Sequence, residues 1–252
     1  GDLSVIATPV AGVSSVTNAS AASLGKAEES DAELRARRRA GVANLGRNQI
    51  GSLFGDVADV DGVNHVRVYE NFESTTDSNG LAPHSFAVIV EGGEVTDLAE
   101  AIVANKAPGS SMNGGQGITN EVQETVTTVD GATKTVTFFR PVKTTIYVDV
   151  SVVGSELPAG IGDDIKQAIV DYANATLFGG SLGGFDRVGF GIGDQVPAGK
   201  LYTPANRVVG EQGYVSDLKI GTSSGDVTNT LLAMAFNELP VFDTTAIDVT
   251  VT

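Results

Sequence analysis

Apolar residues recur along the chain with two different periods, and their alternation predicts a mixed α+β fold. Apolar residues three or four positions apart predict helices over 47–60, 94–106, 160–178 and 198–210. Apolar residues at alternate positions, or in short apolar runs, predict strands over 11–18, 63–70, 84–92, 144–154, 213–221 and 244–252. Asp130-Gly131, between two runs rich in Thr and Val, predicts a β-hairpin within 115–141.

The order strand, helix, helix, strand, strand occurs twice along the chain. We therefore predict a first α+β module at 1–110, a β-hairpin spacer at 111–141 and a second α+β module at 142–252. The sequences "ADVDGVNHVRVYE" and "RVVGEQGYVSDLKI" both join a helix end to a strand, which favours duplication of one module. Chance similarity is the alternative, and different strand orders in the two halves would favour it.

Residues 30–40 carry the signals of a capped helix. Ser30 and Glu33 fit a capping box, and Gly41 suits the left-handed conformation that ends a helix. The arginines at 37–39 lie at the C-terminal end, where the helix dipole favours positive charge. A surface helix explains them, and two functional alternatives stay open: docking on an acidic protein, or a phosphate or RNA site.

Net charge and composition exclude several classes of partner. The chain has 31 acidic and 16 basic residues and a formal net charge of −15, which opposes binding to nucleic acid. No apolar run approaches the roughly 20 residues of a membrane-spanning helix, so we expect a soluble protein without a membrane partner. The absence of cysteine excludes disulfides and thiolate metal sites. The start at Gly-Asp-Leu indicates an N-terminal truncation.

The one match to a hydrolase motif is incomplete. The stretch "GTSSG" (221–225) fits G-x-S-x-G with Ser223 as nucleophile. The α/β-hydrolase order requires a histidine after the serine, whereas His65 and His84 both precede it. We expect His65 to point outward, next to the core-facing Val66, and His84 to begin a strand. A Ser/Gly-rich loop is the simpler interpretation.

Metal and cofactor motifs also fail at defined positions. "DVADVDG" (56–62) resembles a calcium loop, but Val57 and Val68 occupy its first and last ligand positions. The glycine-rich stretch 179–194 lacks the phosphate-loop and dinucleotide signatures. Asp163 and Asp164 lie near a helix start, where they complement the dipole. We therefore assign no catalytic, cofactor-binding or metal-binding residues and expect no enzyme activity and no cofactor.

Several stretches together resemble the baseplate J-like family, the baseplate wedge proteins of contractile-tailed bacteriophages and related injection machines. The most specific is E-S-D-x-E-L-R-x-R after V-T-N, within residues 12–38. The others are "VDGVNHVRVYEN" (60–71), "GLAPHSFAVIVEGG" (80–93), "AEAIVANKAPGSSMNGG" (99–115), "VTFFRPVKTTIYVDVSV" (136–152) and "AFNELPVFDTTAIDVTVT" (235–252). The glycine-rich stretch is longer than the family pattern, and the family's additional N-terminal region is missing.

The resemblance implies a structural role in the virion. It implies assembly through protein-protein contacts into the ring around the tail hub, with other baseplate wedge proteins and a second copy of the chain as partners. The expected location is the tail baseplate, made and assembled in the bacterial host cytoplasm. The alternative is an enzyme or glycan-binding module of a tail or secreted assembly.

Self-association of a chain at −15 must rest on apolar contacts, because like charge repels copies over about one Debye length, roughly 8 Å at physiological salt. The candidates that we expect to be exposed are Phe185, Phe190, Ile192, Met234, Phe236, Leu239 and Phe242. This predicts a monomer or weak dimer whose pairing strengthens as salt rises.

Overall fold

The computed structural model describes residues 34, 50–112, 118–128, 130–177 and 189–252, which lie in one compact unit, Asp31–Thr252. Helices and strands are mixed along these residues, which confirms the α+β class. The predicted strand at 11–18 lies outside the described residues. So does the predicted helix at 30–40, apart from Leu34, which is helical.

The first sheet is built from strands on both sides of a central strand. Its elements are α1 (Ile50–Ala58), β1 (Val63–Asn71), β2 (Ser85–Gly92), α2 (Val95–Asn105), β3 (Ser111–Met112), β4 (Glu121–Thr127) and β5 (Thr133–Phe139). The strand order is β1-β2-β5-β4, and β3 also pairs with β2. The β1–β2 pair is antiparallel, and β2 and β5 run parallel through Ile89 and Phe139.

The two helices of this half cover one face of the sheet. Leu53 and Val57 of α1 and Leu98 and Ile102 of α2 are buried, because their three- and four-residue spacing puts them on one side of each helix. They form one cluster with the residues at alternate positions of the strands, among them Val66, Val88, Val90, Val126, Val136 and Phe138. The periodicity of 47–60 and 94–106 predicted these helices correctly.

The β-hairpin of the predicted spacer at 111–141 pairs with the first sheet. β4 and β5 form the expected antiparallel hairpin around the Asp130-Gly131 turn. Val126, Val136 and Phe138 of that hairpin are buried in the same cluster as α1 and α2. A two-stranded hairpin with an apolar face is marginally stable alone, so it gains stability by joining the sheet beside β2.

The second half has a smaller sheet and two short strand pairs. Its elements are β6 (Val142–Thr145), β7 (Tyr147–Gly154), α3 (Ile161–Ala173), β8 (Val196–Pro197), α4 (Ala198–Val209), β9 (Gly213–Gly221), β10 (Leu231–Leu232), β11 (Glu238–Val241) and β12 (Ile247–Val251). The sheet order is β12-β7-β9, with β12 parallel and β9 antiparallel to β7. β6 pairs with β11, and β8 with β10.

Helices α3 and α4 pack on one face of this second sheet. Ile161, Ile165 and Ile169 are spaced by four residues on α3 and are buried against strand residues such as Val148 and Val150. The predicted strand at 144–154 is divided into the end of β6 and the whole of β7. Ile146 lies between them and is buried, and its backbone amide donates to the carbonyl oxygen of Val241 at 3.0 Å.

The two halves do not share one strand order, so the predicted duplication is wrong. In the first half β1 and β2 pair directly. Their counterparts β9 and β12 lie on opposite sides of β7. The similarity at the two joints is therefore local: a helix, a short turn and a strand, at α1–β1 and at α4–β9. Residues 11–49 of the first half lie outside the comparison, apart from Leu34.

A third apolar cluster covers the other face of the first sheet. Ala87, Ile89 and Phe139 of that sheet contact Ile192 and Leu239. Coverage of both faces explains why 84–92 is continuously apolar. The prediction of exposed loop residues is wrong for four of them: Ile192 and Leu239 are buried in this third cluster, and Phe190 and Phe242 in the cluster of the second sheet. Met234 and Phe236 are partly buried, and Phe185 lies outside the described residues.

Candidate functional site

Ser223 lies in a tight turn after β9 and not at a strand-to-helix elbow. Its hydroxyl oxygen accepts a hydrogen bond from the amide of Gly225 at 3.3 Å, and its carbonyl accepts from the amide of Asp226 at 3.1 Å. The turn leads to an isolated bridge between Ser223 and Asp226, so no helix follows to form an elbow. This geometry is that of the Ser/Gly-rich loop.

His65 is buried, which corrects the prediction that it points into solvent. It lies on the sheet face opposite Val66, as alternation requires, but the third cluster and its neighbouring loops cover that face. A register shift between Val63 and His65 pairs the histidine with Glu91 of β2. Burial lowers the pKa of His65, although the carboxylates of Glu91 and Asp194 act in the opposite direction and Lys143 adds to the lowering.

His84 is exposed at the opposite end of β2. It precedes the strand with φ of 54°, a left-handed conformation that histidine adopts more readily than most residues. Its carbonyl accepts from the amide of Ser111 at 3.3 Å. Because His65 pairs with Glu91, the two histidines are separated by about six strand residues, roughly 20 Å. They cannot bind one metal ion together.

The calcium-like stretch is divided between a helix and a turn. Asp56 belongs to α1, and its carboxylate accepts a hydrogen bond from the side-chain amide of Asn105. Asp59 and Asp61 lie in the turn that follows. Among the described residues, no group of three His, Asp or Glu side chains is placed to hold a metal ion.

The half-buried side chain of Arg140, which follows β5, makes three hydrogen bonds to the backbone. Its guanidinium donates to the carbonyl oxygens of Val90 at 3.2 Å, of Gly93 at 3.0 Å and of Gly92. The same group lies over the ring of Phe138, 5.3 Å from its centroid. Burial lowers the pKa of Arg140, and the carboxylates of Glu91 and Glu94 partly offset this. Arg140 therefore joins the hairpin to the turn between β2 and α2.

Asparagine and tyrosine side chains make similar bonds to distant backbone. Asn174, at the end of α3, donates to the carbonyl of Phe242 at 2.7 Å and accepts from the Phe242 amide at 2.9 Å. The Tyr69 hydroxyl donates to the carbonyl of Phe236 at 2.7 Å, which joins β1 to the segment before β11. Asn71 donates to the carbonyls of Thr75, Leu81 and Ala82 at 2.7–3.1 Å.

These side chains share one role, which is to fix backbone segments outside their own helix or strand. We refer to Arg140, Asn174, Tyr69 and Asn71 as the backbone ties. Sequence reasoning missed all four as functional residues. The available signal was their position directly after or near the end of an element, where unpaired carbonyls and amides need partners.

A pocket lined by described residues lies between β1, the start of β2 and the end of α2. It measures about 660 Å³. Its lining includes Leu53, Phe72, His84, Phe86 and Lys106. Two further lining groups, Asn71 and Ser85, already donate to backbone carbonyls. The pocket presents an apolar wall with a few charged side chains, and the hydroxyl of Ser110 in its lining donates to the carbonyl of Ala107.

Two comparisons with known proteins found no match. No protein-family model matches the chain, and no curated protein matches it at a significant level. No helix in the described ranges has the length and the apolar content needed to cross a bilayer.

Proposed function

We propose that the protein is a structural baseplate wedge protein of a contractile phage tail, which assembles through protein-protein contacts into the ring around the tail hub. The observation that carries the proposal is the role of the backbone ties. Interior polar groups of this chain bond to backbone segments 4 to 167 residues away and hold the sheets and loops in register.

This use of polar groups favours a scaffold over a catalyst. Catalytic polar groups converge on a position where a reacting atom can lie. Arg140, Asn174 and Tyr69 instead use their hydrogen-bonding capacity on main-chain carbonyls and amides. A subunit that holds its neighbours in a fixed geometry benefits from an interior of this kind, because fixed backbone segments keep its contact surfaces in place.

The sequence resemblance points to the same role. Two of the resembling stretches, 60–71 and 136–152, contain the backbone ties Tyr69, Asn71 and Arg140. In the proposed assembly the partners are other baseplate wedge proteins and a second copy of the chain. The location is the tail baseplate of the virion, and assembly takes place in the host cytoplasm.

Imaging of intact particles from the producing bacterium tests the proposal. A peptide tag inserted between Ser223 and Ser224, in an exposed turn, is labelled with gold-conjugated antibody and viewed by electron microscopy. Labels should cluster at the baseplate end of the tail, and untagged particles serve as the control. Complete absence of the tagged chain from purified particles, with the tagged chain folded and abundant in the lysate, would contradict the structural role and favour an enzyme or glycan-binding module.

A further inference from the structure

Two lysines lie close together in a pocket of this strongly acidic protein. Lys106 follows the last residue of α2, and Lys134 lies on β5. Both line a pocket of about 460 Å³, whose other side chains include Val103, Met112 and Thr135. The described residues of this lining include no aspartate or glutamate.

Of the two lysines, Lys134 interacts at long range with the exposed carboxylate of Asp130, which is not among the residues that line the pocket. Within the described residues, neither lysine forms an ion pair, and the Lys106 ammonium donates only to the carbonyl of Ala107 at 3.4 Å. Burial and the positive charge of Lys134 both lower the pKa of Lys106. A bound anion would oppose this lowering, because it favours the charged form of Lys106.

The position of Lys106 at the end of a helix accounts for one of the two lysines but not for the other. The negative end of the α2 dipole stabilises a cation near Lys106. Lys134 lies on a strand, so the dipole of α2 gives no reason for a second positive charge in the same lining. The pair is better explained by a ligand that needs both.

The wall that both lysines share is a fixed turn. Pro108 and Gly109 occupy its centre, and Gly109 has φ of 82°, as a type II turn requires. The amide and hydroxyl of Ser110 donate to the carbonyl of Ala107 at 3.3 Å and 2.7 Å. A wall of this kind loses little conformational entropy when a ligand binds.

We propose that this pocket binds the phosphate group of a small phosphorylated ligand, held by Lys106 and Lys134. A phosphate monoester carries about −1.5 to −2 charges at neutral pH, which matches two lysines, whereas a single carboxylate would neutralise one. The Thr135 hydroxyl can donate a further hydrogen bond. Val103, Pro108 and Met112 offer apolar contact to the organic part of the ligand, and the volume lies within the range of small-molecule sites.

This site is separate from the proposed structural role and does not depend on it. None of the backbone ties lines the pocket. The ligand would be bound and not transformed, because the lining supplies two cations and a hydroxyl but no general base.

Titration with phenyl phosphate tests the site, because the probe combines a phosphate monoester with an apolar ring. Binding is followed by the NMR signals of the lysine side-chain methylene groups at low salt. We expect millimolar affinity and a rise in the pKa of Lys106 on saturation, because the anion stabilises its charged form. Lys106→Gln and Lys134→Gln should each weaken binding about fivefold, the size expected when one partly exposed ion pair is lost.

Matched controls separate the site from general attraction to lysine. Lys166→Gln, on α3 of the other sheet, should bind the probe like the wild type, and unchanged amide spectra verify that each variant is folded. Glutarate, a dicarboxylate that imitates paired acidic side chains of a partner protein, should bind more weakly than phenyl phosphate. Equal binding by glutarate, equal loss in all three variants, or no measurable binding of phenyl phosphate would each overturn the proposal.

Discussion

Removal of the Arg140 guanidinium should destabilise the first half of the molecule substantially. The residue closes the turn between β2 and α2, where Gly92 and Gly93 have φ of 83° and 73°. A side chain at Gly92 would place its Cβ 2.0 Å from the carbonyl oxygen of Gly62, so position 92 requires glycine. Arg140 bonds to the carbonyls of both glycines and of Val90, and thereby holds the turn against the hairpin.

The expected loss in Arg140→Met is about 2–4 kcal/mol of unfolding free energy. Hydrogen bonds to a charged group contribute roughly 1.5–3 kcal/mol each, and Arg140 makes three. The sum overstates the effect, because the side chain is half-buried and water can reach some of the carbonyls in the variant. Methionine also keeps much of the contact with Phe138. For a chain of this length the change corresponds to a fall in Tm of roughly 5–15 °C.

Equilibrium unfolding in urea, followed by circular dichroism, measures the difference. Arg140→Lys keeps the charge but not the planar fork, so it should recover less than half of the loss. Lys143→Gln is the matched control, because its 3.0 Å ion pair with Glu91 is exposed on the lysine side and should contribute less than about 1 kcal/mol. An Arg140→Met variant within 0.5 kcal/mol of the wild type would refute the interpretation of Arg140 as a structural tie.

Three further expectations concern single residues. Because the pKa of His65 is lowered in the folded protein, the unfolded chain binds the proton more readily as pH falls. The free energy of unfolding should therefore decrease as pH falls below about 6.5. His65→Asn should make this dependence weaker, as measured by unfolding curves at pH 7.5 and 5.5. Ser223→Ala should leave any hydrolytic activity unchanged, and a covalent adduct of Ser223 with a serine-directed phosphonate would contradict this. Arg38→Glu should leave Tm nearly unchanged while weakening assembly of the baseplate wedge, whereas a large loss of stability would show that the arginines are internal.

Local patterns in the sequence predicted most of the helices and strands correctly, because these elements form from the spacing of nearby residues. The helices around Leu53, Leu98 and Ile165 follow from apolar spacing, and the hairpin follows from the Asp130-Gly131 turn. Element ends were less accurate. The helix predicted over 160–178 ends at Ala173, where the amide of Asn174 still bonds to Val170 and the side chain of Asn174 turns to Phe242.

Contacts between distant segments could not be predicted from those patterns. Alternation placed His65 opposite Val66 correctly, but burial of that face depends on Ile192 and Leu239, more than 120 residues away. The hairpin's membership of the first sheet rests on the pairing of Phe139 with Ile89. The backbone ties were missed for the same reason: a polar side chain in the sequence does not show which distant carbonyl it will meet.

The burial of the loop residues changes the expectation for self-association. Phe190, Ile192, Leu239 and Phe242 fill the interior, so they are not available for contacts between copies. The large apolar side chains exposed in the described ranges, which include Phe72, Tyr214, Leu231 and Val251, occur singly along the chain, and scattered apolar residues are normal on a monomer. The net charge of −15 adds repulsion at low salt. We now expect a monomer in sedimentation experiments at both 20 and 500 mM salt, where the Debye length is about 20 Å and about 4 Å respectively. A tight dimer that is insensitive to salt would show that the chain presents a broad apolar interface, and a dimer that salt dissociates would show that ion pairs hold the copies together.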